Sequence, residues 1–243
     1  MSSLLNDRFA PITSCMGLIN GSLRDVNESF VQWQNDILAG YGQSVVVGHL
    51  ECHLGDAFSR LQPLARGVRT RSLLLELGEW VAYFDNSHLG TDAAGVAAVM
   101  ATRLLTTAIR LTVRSNKIKR GKGASKLGSY GATIFEVFEG NLRSRRSIAC
   151  ANDGGRWVFE QHGAPFLFED LAAYASKKVR ERFPPYLLER YVHEFGVDPF
   201  SERAYYAKCD GSVHGELVEI VGDLPKTITY VTLAAARKAL GLE

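Results

Sequence analysis

The chain of 243 residues is 46% hydrophobic and 22% charged, with a formal net charge of +2, values typical of a folded globular protein. No apolar run approaches the roughly 20 residues that span a bilayer, and the N-terminus lacks the apolar core of a secretory signal. Four widely separated cysteines without a CxxC pair argue against a disulfide scaffold or a zinc ribbon. We therefore expect a cytoplasmic protein with reduced thiols.

The first third of the chain predicts one helix and one strand. Residues 1–24 carry no clear periodicity, and we expect an irregular N-terminal segment there. Residues 27–39 have apolar side chains at helical spacing, and Asn27 is a suitable N-cap. Residues 44–54 begin with three valines and then alternate, which predicts a strand.

The middle of the chain predicts a hairpin, a helix and two further strands. Residues 71–86 alternate on both sides of Gly78-Glu79, as in a hairpin with a two-residue turn. Residues 91–105 are apolar nearly all round, which predicts a buried helix with Thr91 as its N-cap. Residues 107–115 and 131–140 read as strands.

The last part of the chain predicts a second hairpin followed by helices. Residues 146–163 alternate around Asp153-Gly154-Gly155, the strongest hairpin signal in the chain. Acidic residues begin and basic residues end the segment 169–182, which favours a helix. A further helix over 186–195 follows two prolines, and the tail adds two short strands and a last helix.

These elements predict an α+β fold in one domain covering residues 1–243. Several adjacent strands are joined by hairpins, so we expect a largely antiparallel, mixed sheet. Helices are expected on one face of that sheet, with a helical segment near residues 169–196.

The loop FDNSHLGTDA at residues 84–93 is the first candidate site. Asp85, His88 and Asp92 lie between a strand and a helix, where a hydrolase site could form. The structural interpretation needs only a turn, a glycine and a helix cap, and it is the favoured one. The loop does not fit a calcium-binding pattern, because Leu89 stands where an oxygen ligand is needed.

The sequence HLECH, from His49 to His53, resembles a zinc signature only superficially. Residues four apart in a strand are separated by roughly 13 Å, too far for both histidines to bind one metal. We therefore predict no metal and no cofactor.

A basic segment is the second candidate site. No aspartate or glutamate occurs between Ala93 and Phe135, where eight of the chain's 28 basic residues lie. The rest of the chain contains the other 20 basic residues and all 26 acidic residues. The charge is concentrated in one stretch of 13 residues, the basic segment, whose cations are Arg114, Lys117, Lys119, Arg120, Lys122 and Lys126.

No nucleophile elbow, phosphate loop or dinucleotide fingerprint is present, so an enzyme is the less favoured class. The leading hypothesis is a non-enzymatic intracellular interaction protein, for example an immunity-type protein, whose basic segment binds an acidic surface of a partner protein. One alternative is a nucleic-acid-binding accessory protein that uses the same segment on phosphates. The other is a hydrolase built on Asp85, His88 and Asp92.

Overall fold

A computed structural model describes residues 3–118, 128–140, 142–206 and 211–242. Six α-helices are present in these ranges: α1 (Leu23–Leu38), α2 (Leu54–Ser59), α3 (Ala94–Leu104), α4 (Leu171–Tyr174), α5 (Pro185–His193) and α6 (Leu233–Ala239). The strands are β1 (Cys15–Asn20), β2 (Gln43–Cys52), β3 (Leu64–Arg66), β4 (Arg71–Leu77), β5 (Trp80–Asp85), β6 (Thr107–Arg114), β7 (Ala132–Glu139), β8 (Leu142–Asp153), β9 (Arg156–His162), β10 (Val213–Gly222) and β11 (Thr229–Val231).

Nine strands form one antiparallel sheet in the order β2-β10-β4-β5-β1-β6-β7-β8-β9, and β11 pairs with β3 in a small second sheet. The α+β class and the antiparallel sheet are confirmed. The hairpin predicted over residues 71–86 is β4–β5, with Gly78 at a φ of 64° in its turn. The hairpin predicted over residues 146–163 is β8–β9, with Gly154 and Gly155 also at positive φ.

The N-terminal segment expected to be irregular contains the central strand of the sheet. Residues 4–7 and 12–14 are short 3₁₀ turns, but β1 follows them and lies between β5 and β6. Met16, Leu18 and Ile19 are all fully buried. A strand that is buried on both faces lacks the apolar–polar alternation that marks a half-exposed strand, so its sequence gave no periodic signal.

Helices cover both faces of the sheet, whereas one covered face was expected. Leu73 and Leu75 of β4 belong to the core that contains Leu188 of α5, and this side is called the α5 face. Leu74 points the other way and joins the core that contains Met100 of α3, and this side is called the α3 face. The consecutive leucines of β4 are the sequence signature of a strand covered on both faces.

The first predicted helix and the helical segment near residues 169–196 differ from the structure in their bounds. The first helix begins at Leu23, four residues earlier than predicted, because Ser22 rather than Asn27 is its N-cap: the Asp25 N–H donates to Ser22 Oγ at 3.1 Å. The helical segment near residues 169–196 consists of α4, a 3₁₀ turn over Val179–Glu181, and α5.

A buried ion pair holds Glu169, just ahead of α4. The side chains of Arg146 on β8 and Glu169 are 1% and 0% exposed, and Nε and Nη2 of the arginine donate to the two carboxylate oxygens at 2.8 and 2.5 Å. The guanidinium also donates to His162 O, Gly163 O and Gln161 Oε1, and the carboxylate also accepts from the Phe166 N–H and the Tyr174 hydroxyl. Glu169 therefore fixes the chain ahead of α4 onto the end of the β8–β9 hairpin.

The two edges of the sheet differ. β2 forms one edge; among the described strands it pairs with β10 alone, over ten residues without a register shift. Val46 and Val47 in this strand are 50% and 39% exposed. β9 forms the other edge and carries charged residues at Arg156 and Glu160.

We predict that Arg146→Met lowers the free energy of unfolding by about 3–5 kcal/mol, because it leaves the Glu169 carboxylate buried without its counterion. Urea denaturation followed by circular dichroism measures the change. Arg145→Met is the matched control, since Arg145 forms a more exposed and longer ion pair with Glu139 at 3.6 Å and should cost no more than about 1 kcal/mol. Equal losses for the two variants would contradict the prediction.

Candidate functional site

The loop of residues 84–93 connects β5 to α3, and its first carboxylate is enclosed by the protein. Asp85 is 0% exposed. Its Oδ1 accepts from the Ser87 N–H at 2.9 Å, and its Oδ2 accepts from the Asp92 N–H at 3.1 Å and from Arg69 Nη1 at 3.2 Å. Burial raises the pKa of this carboxyl, and Arg69 with the two N–H groups offsets only part of that shift. Asp85 has no exposed oxygen to present to a substrate.

Asn86 extends the same network to the chain that precedes β4. Its Oδ1 accepts from the N–H groups of Thr70 and Arg71 at 3.0 and 3.2 Å. Its Nδ2 donates to Thr70 Oγ1 at 3.1 Å and to the Pro63 carbonyl at 3.3 Å. All four hydrogen bonds of this side chain therefore join the end of β5 to residues 63–71.

Thr91 does not cap α3, contrary to the sequence prediction. The helix begins at Ala94 and its N-cap position is Ala93, which forms no side-chain cap. The Thr91 hydroxyl instead accepts from the Asp85 N–H at 3.0 Å, inside the buried network. The N-cap interpretation is wrong because Thr91 lies three residues before the first helical residue and points back toward β5.

The three candidate side chains of this loop occupy separate environments. Asp85 is buried, whereas Asp92 is exposed to solvent. His88 is partly buried, and its Nδ1 donates to the Ala65 carbonyl at 3.2 Å. The arrangement positions β5, β3 and α3 relative to one another, and Asp92 is the most accessible of the three side chains.

The two histidines of HLECH lie on different elements. His49 belongs to β2, and its Nδ1 is 3.3 Å from Glu216 Oε1 across the strand pair. His53 follows the strand and occupies the N-cap position of α2. Within the described ranges, no group of three or more histidine, cysteine, aspartate or glutamate side chains is arranged to hold a metal ion.

The basic segment is described only at its start. Arg114 ends β6, and Lys117 is exposed three residues later. The Lys117 N–H donates to the Ser129 carbonyl at 2.9 Å, which brings together the two sides of the connection between β6 and β7. The other four predicted cations lie outside the described residues: Lys119, Arg120, Lys122 and Lys126.

Three polar side chains of β6 form a row that the sequence analysis missed. Leu111 and Val113 belong to the core of the α5 face, so Arg110, Thr112 and Arg114 project to the α3 face. Arg110 Nη1 donates to Glu136 Oε2 on β7 at 2.7 Å. Arg114 Nη2 donates to the Leu89 carbonyl at 3.2 Å. The alternation R-L-T-V-R was the available signal, because charged residues at every second position of a strand share one face.

A polar cleft of about 700 Å³ lies near the other end of α3, and its charged side chains are already paired. The Ser22 hydroxyl donates to Asp25 at 2.6 Å, Arg24 binds Glu28 at 2.9 Å, and Arg103 binds Asp36 at 3.4 Å. Each charged side chain that lines this cleft therefore already has a partner within the protein.

No protein-family model, curated protein or solved structure matches this chain. Among the helices of the described ranges, none has both the length and the apolar composition needed to cross a membrane.

We predict that Thr91→Val lowers the free energy of unfolding by about 1–3 kcal/mol, because the buried Asp85 N–H loses its acceptor while the side-chain volume is kept. Thr91→Ser is the control that keeps the hydroxyl and should recover most of the loss. Thermal and urea denaturation of the three proteins measure the effect. A neutral Thr91→Val variant would show that this hydrogen bond does not support the loop.

We also predict that the purified protein contains no stoichiometric zinc, since His49 is directed at Glu216 and His53 lies beyond the strand. Elemental analysis of the protein and of a His49→Ala variant tests this. One zinc per chain that disappears in the variant would contradict it.

Proposed function

We propose that the chain is a non-enzymatic interaction protein whose basic segment binds an acidic surface of a partner protein. The observation that carries the proposal is that Arg114 has no carboxylate partner among the described residues. Its guanidinium is partly buried, and its described hydrogen bond goes to a backbone carbonyl, that of Leu89, rather than to a carboxylate. An acidic group on a partner would supply the missing counterion.

The sequence around Arg114 strengthens this argument. The residues between Ala93 and Phe135 include no aspartate or glutamate, so the basic segment contains no acid that could neutralise its own cations. Concentrated charge of one sign raises the rate at which an oppositely charged partner is captured, by 10-fold to 1,000-fold at low salt. An immunity-type protein, which inactivates a partner by covering it, needs a surface of this kind and no catalytic group.

The hydrolase alternative is the weaker proposal. It requires Asp85, His88 and Asp92 to act on one substrate. Asp85 is enclosed and bonded to Arg69 and to two backbone N–H groups, and the ring of His88 is directed at the Ala65 carbonyl. A general base must be able to reach the proton that it removes.

The test replaces Lys117, Lys119, Arg120 and Lys122 by alanine. We expect this variant to associate at least tenfold more slowly than the parent with a polyglutamate peptide of about 30 residues at low salt, because electrostatic steering is lost. Stopped-flow fluorescence measures the rate. The control removes four exposed cations from elsewhere on the surface: Arg66, Lys177, Arg180 and Lys226. Equal rates for the two variants would contradict the proposal.

The same proteins distinguish an acidic protein partner from nucleic acid. Labelled duplex and single-stranded DNA and RNA are titrated at low and at physiological salt. We expect weak binding that is lost at physiological salt, since the attraction is purely electrostatic. Sub-micromolar binding that survives physiological salt, with a log–log salt slope that falls by roughly 0.9 for each lost contact in the segment variant, would favour the nucleic-acid function instead.

A further inference from the structure

The row on β6 contains an enclosed hydroxyl that lacks a hydrogen-bond partner. Thr112 is 4% exposed, and its Oγ1 has no partner among the described residues. It lies opposite Cys15 on β1 and Ile134 on β7, which confine it from both sides. Buried hydroxyl groups are almost always hydrogen-bonded in folded proteins, so an unpaired one indicates a missing acceptor or donor.

A second unpaired donor lies on the same face, two residues away along β6. The Nε of Arg110 is enclosed and also lacks a partner in the described part of the chain, although the same guanidinium binds Glu136 through Nη1 and interacts with the Cys15 thiol. Alternate residues in a strand are about 6.6–7 Å apart and project to the same side. Arg110 and Thr112 can therefore donate to one ligand lying between them.

Arg114 contributes the charge on the far side of Thr112. Burial lowers the pKa of its guanidinium; the Cys15 thiol opposes that shift and Arg110 adds to it. A cation that is partly removed from water without a counterion is unfavourable, and a bound anion would relieve this cost. Of the charged side chains facing the row, Glu136 is already bonded to Arg110 and to the Ser147 hydroxyl. Among the described residues, the guanidinium charge of Arg114 is therefore left without a carboxylate partner.

We propose that Arg110, Thr112 and Arg114 form a binding site for a tetrahedral oxyanion, a phosphate or sulfate group, on the α3 face of β6. The guanidinium groups match the oxygen spacing of phosphate, and the threonine hydroxyl between them donates to a third oxygen. A tetrahedral oxyanion offers a separate oxygen to each of the three donors, whereas the two oxygens of a planar carboxylate would have to share them. This site shares Arg114 with the basic segment of the proposed partner surface, and it differs from that surface in using Arg110 and Thr112, which lie outside the basic segment.

The test is a titration of the parent protein with sodium phosphate and sodium sulfate, at constant ionic strength, with sodium chloride as the reference. Amide chemical shifts in ¹H–¹⁵N spectra report binding and locate it. We expect saturable shifts centred on residues 110–114 for phosphate and sulfate and none for chloride. A parallel titration with phosphoserine and adenosine monophosphate distinguishes free phosphate from a phosphate group carried by a larger molecule, since only an open site accepts the esters.

Two variants make the assignment specific. Thr112→Val keeps the shape and removes the hydroxyl, so phosphate affinity should fall about tenfold, the equivalent of one hydrogen bond. Arg114→Gln should abolish saturable binding. The matched controls are Thr133→Val, a buried threonine on the opposite face of β7, and Arg103→Gln at the far end of α3, and both should bind phosphate as the parent does.

The melting temperature of Thr112→Val, measured with and without phosphate, provides a second test. Without phosphate this variant should melt no lower than the parent, because the hydroxyl that it removes is unpaired. Phosphate should raise the melting temperature of the parent and have little effect on the variant. Absence of a saturable phosphate response in the parent would overturn the proposal. It would also be overturned if the Thr112→Val variant responded to phosphate as the parent does but melted at a lower temperature, because the hydroxyl would then be bonded to an enclosed water. Polyglutamate association should be the same for Thr112→Val and the parent, so this failure is distinguishable from failure of the partner proposal.

Discussion

The enclosed carboxylate of Asp85 is the interaction on which the centre of the molecule depends. It gathers Arg69, from the chain ahead of β4, and the N–H groups of Ser87 and Asp92 at the end of β5. These contacts set where the chain enters α3. Burying a charge is costly unless it is paired and hydrogen-bonded, and here each interaction that offsets the cost also fixes a piece of backbone.

The entry point of α3 in turn determines what lies over the middle of the sheet. Ala93 rests on Gly17 of β1, so closely that a Cβ at Gly17 would lie 3.3 Å from the Ala93 Cβ. Gly17 pairs with Arg110 on β6. The helix therefore crosses the sheet beside the row of Arg110, Thr112 and Arg114. The loop that resembled an active site in the sequence thus acts by placing α3 next to a different set of polar residues.

Local patterns in the sequence predicted those parts of the fold that depend on neighbouring residues. The β4–β5 and β8–β9 hairpins followed from alternation and glycine turns, and the buried helix after residue 91 followed from its apolar composition. β1 was missed because a strand buried on both faces does not alternate. The helix expected over residues 169–182 is interrupted after α4, and Glu169 ahead of it is held by Arg146, 23 residues earlier in the chain. No local pattern could have indicated that partner.

The candidate site was less predictable than the fold. The basic segment was visible from charge alone, and so was the loop with Asp85, His88 and Asp92. Whether a carboxylate is accessible or enclosed depends on residues that are distant in sequence, as with Arg69 and Asp85. The unpaired hydroxyl of Thr112 can be recognised only once the neighbours on β1 and β7 are known, because its burial is a property of the assembled sheet.

The position of β2 at the edge of the sheet has a consequence for the order of folding. Its neighbour among the strands that the structure describes is β10, and the paired residues His49 and Glu216 are 167 positions apart. At a synthesis rate of 5–20 residues per second, β2 leaves the ribosome roughly 10–30 s before β10 does. During that interval the valines of β2 have no strand to pair with, and the long separation makes loop closure slow. The earliest time at which β2 can pair with β10 is therefore set by translation, whereas the β4–β5 hairpin can form as soon as it emerges.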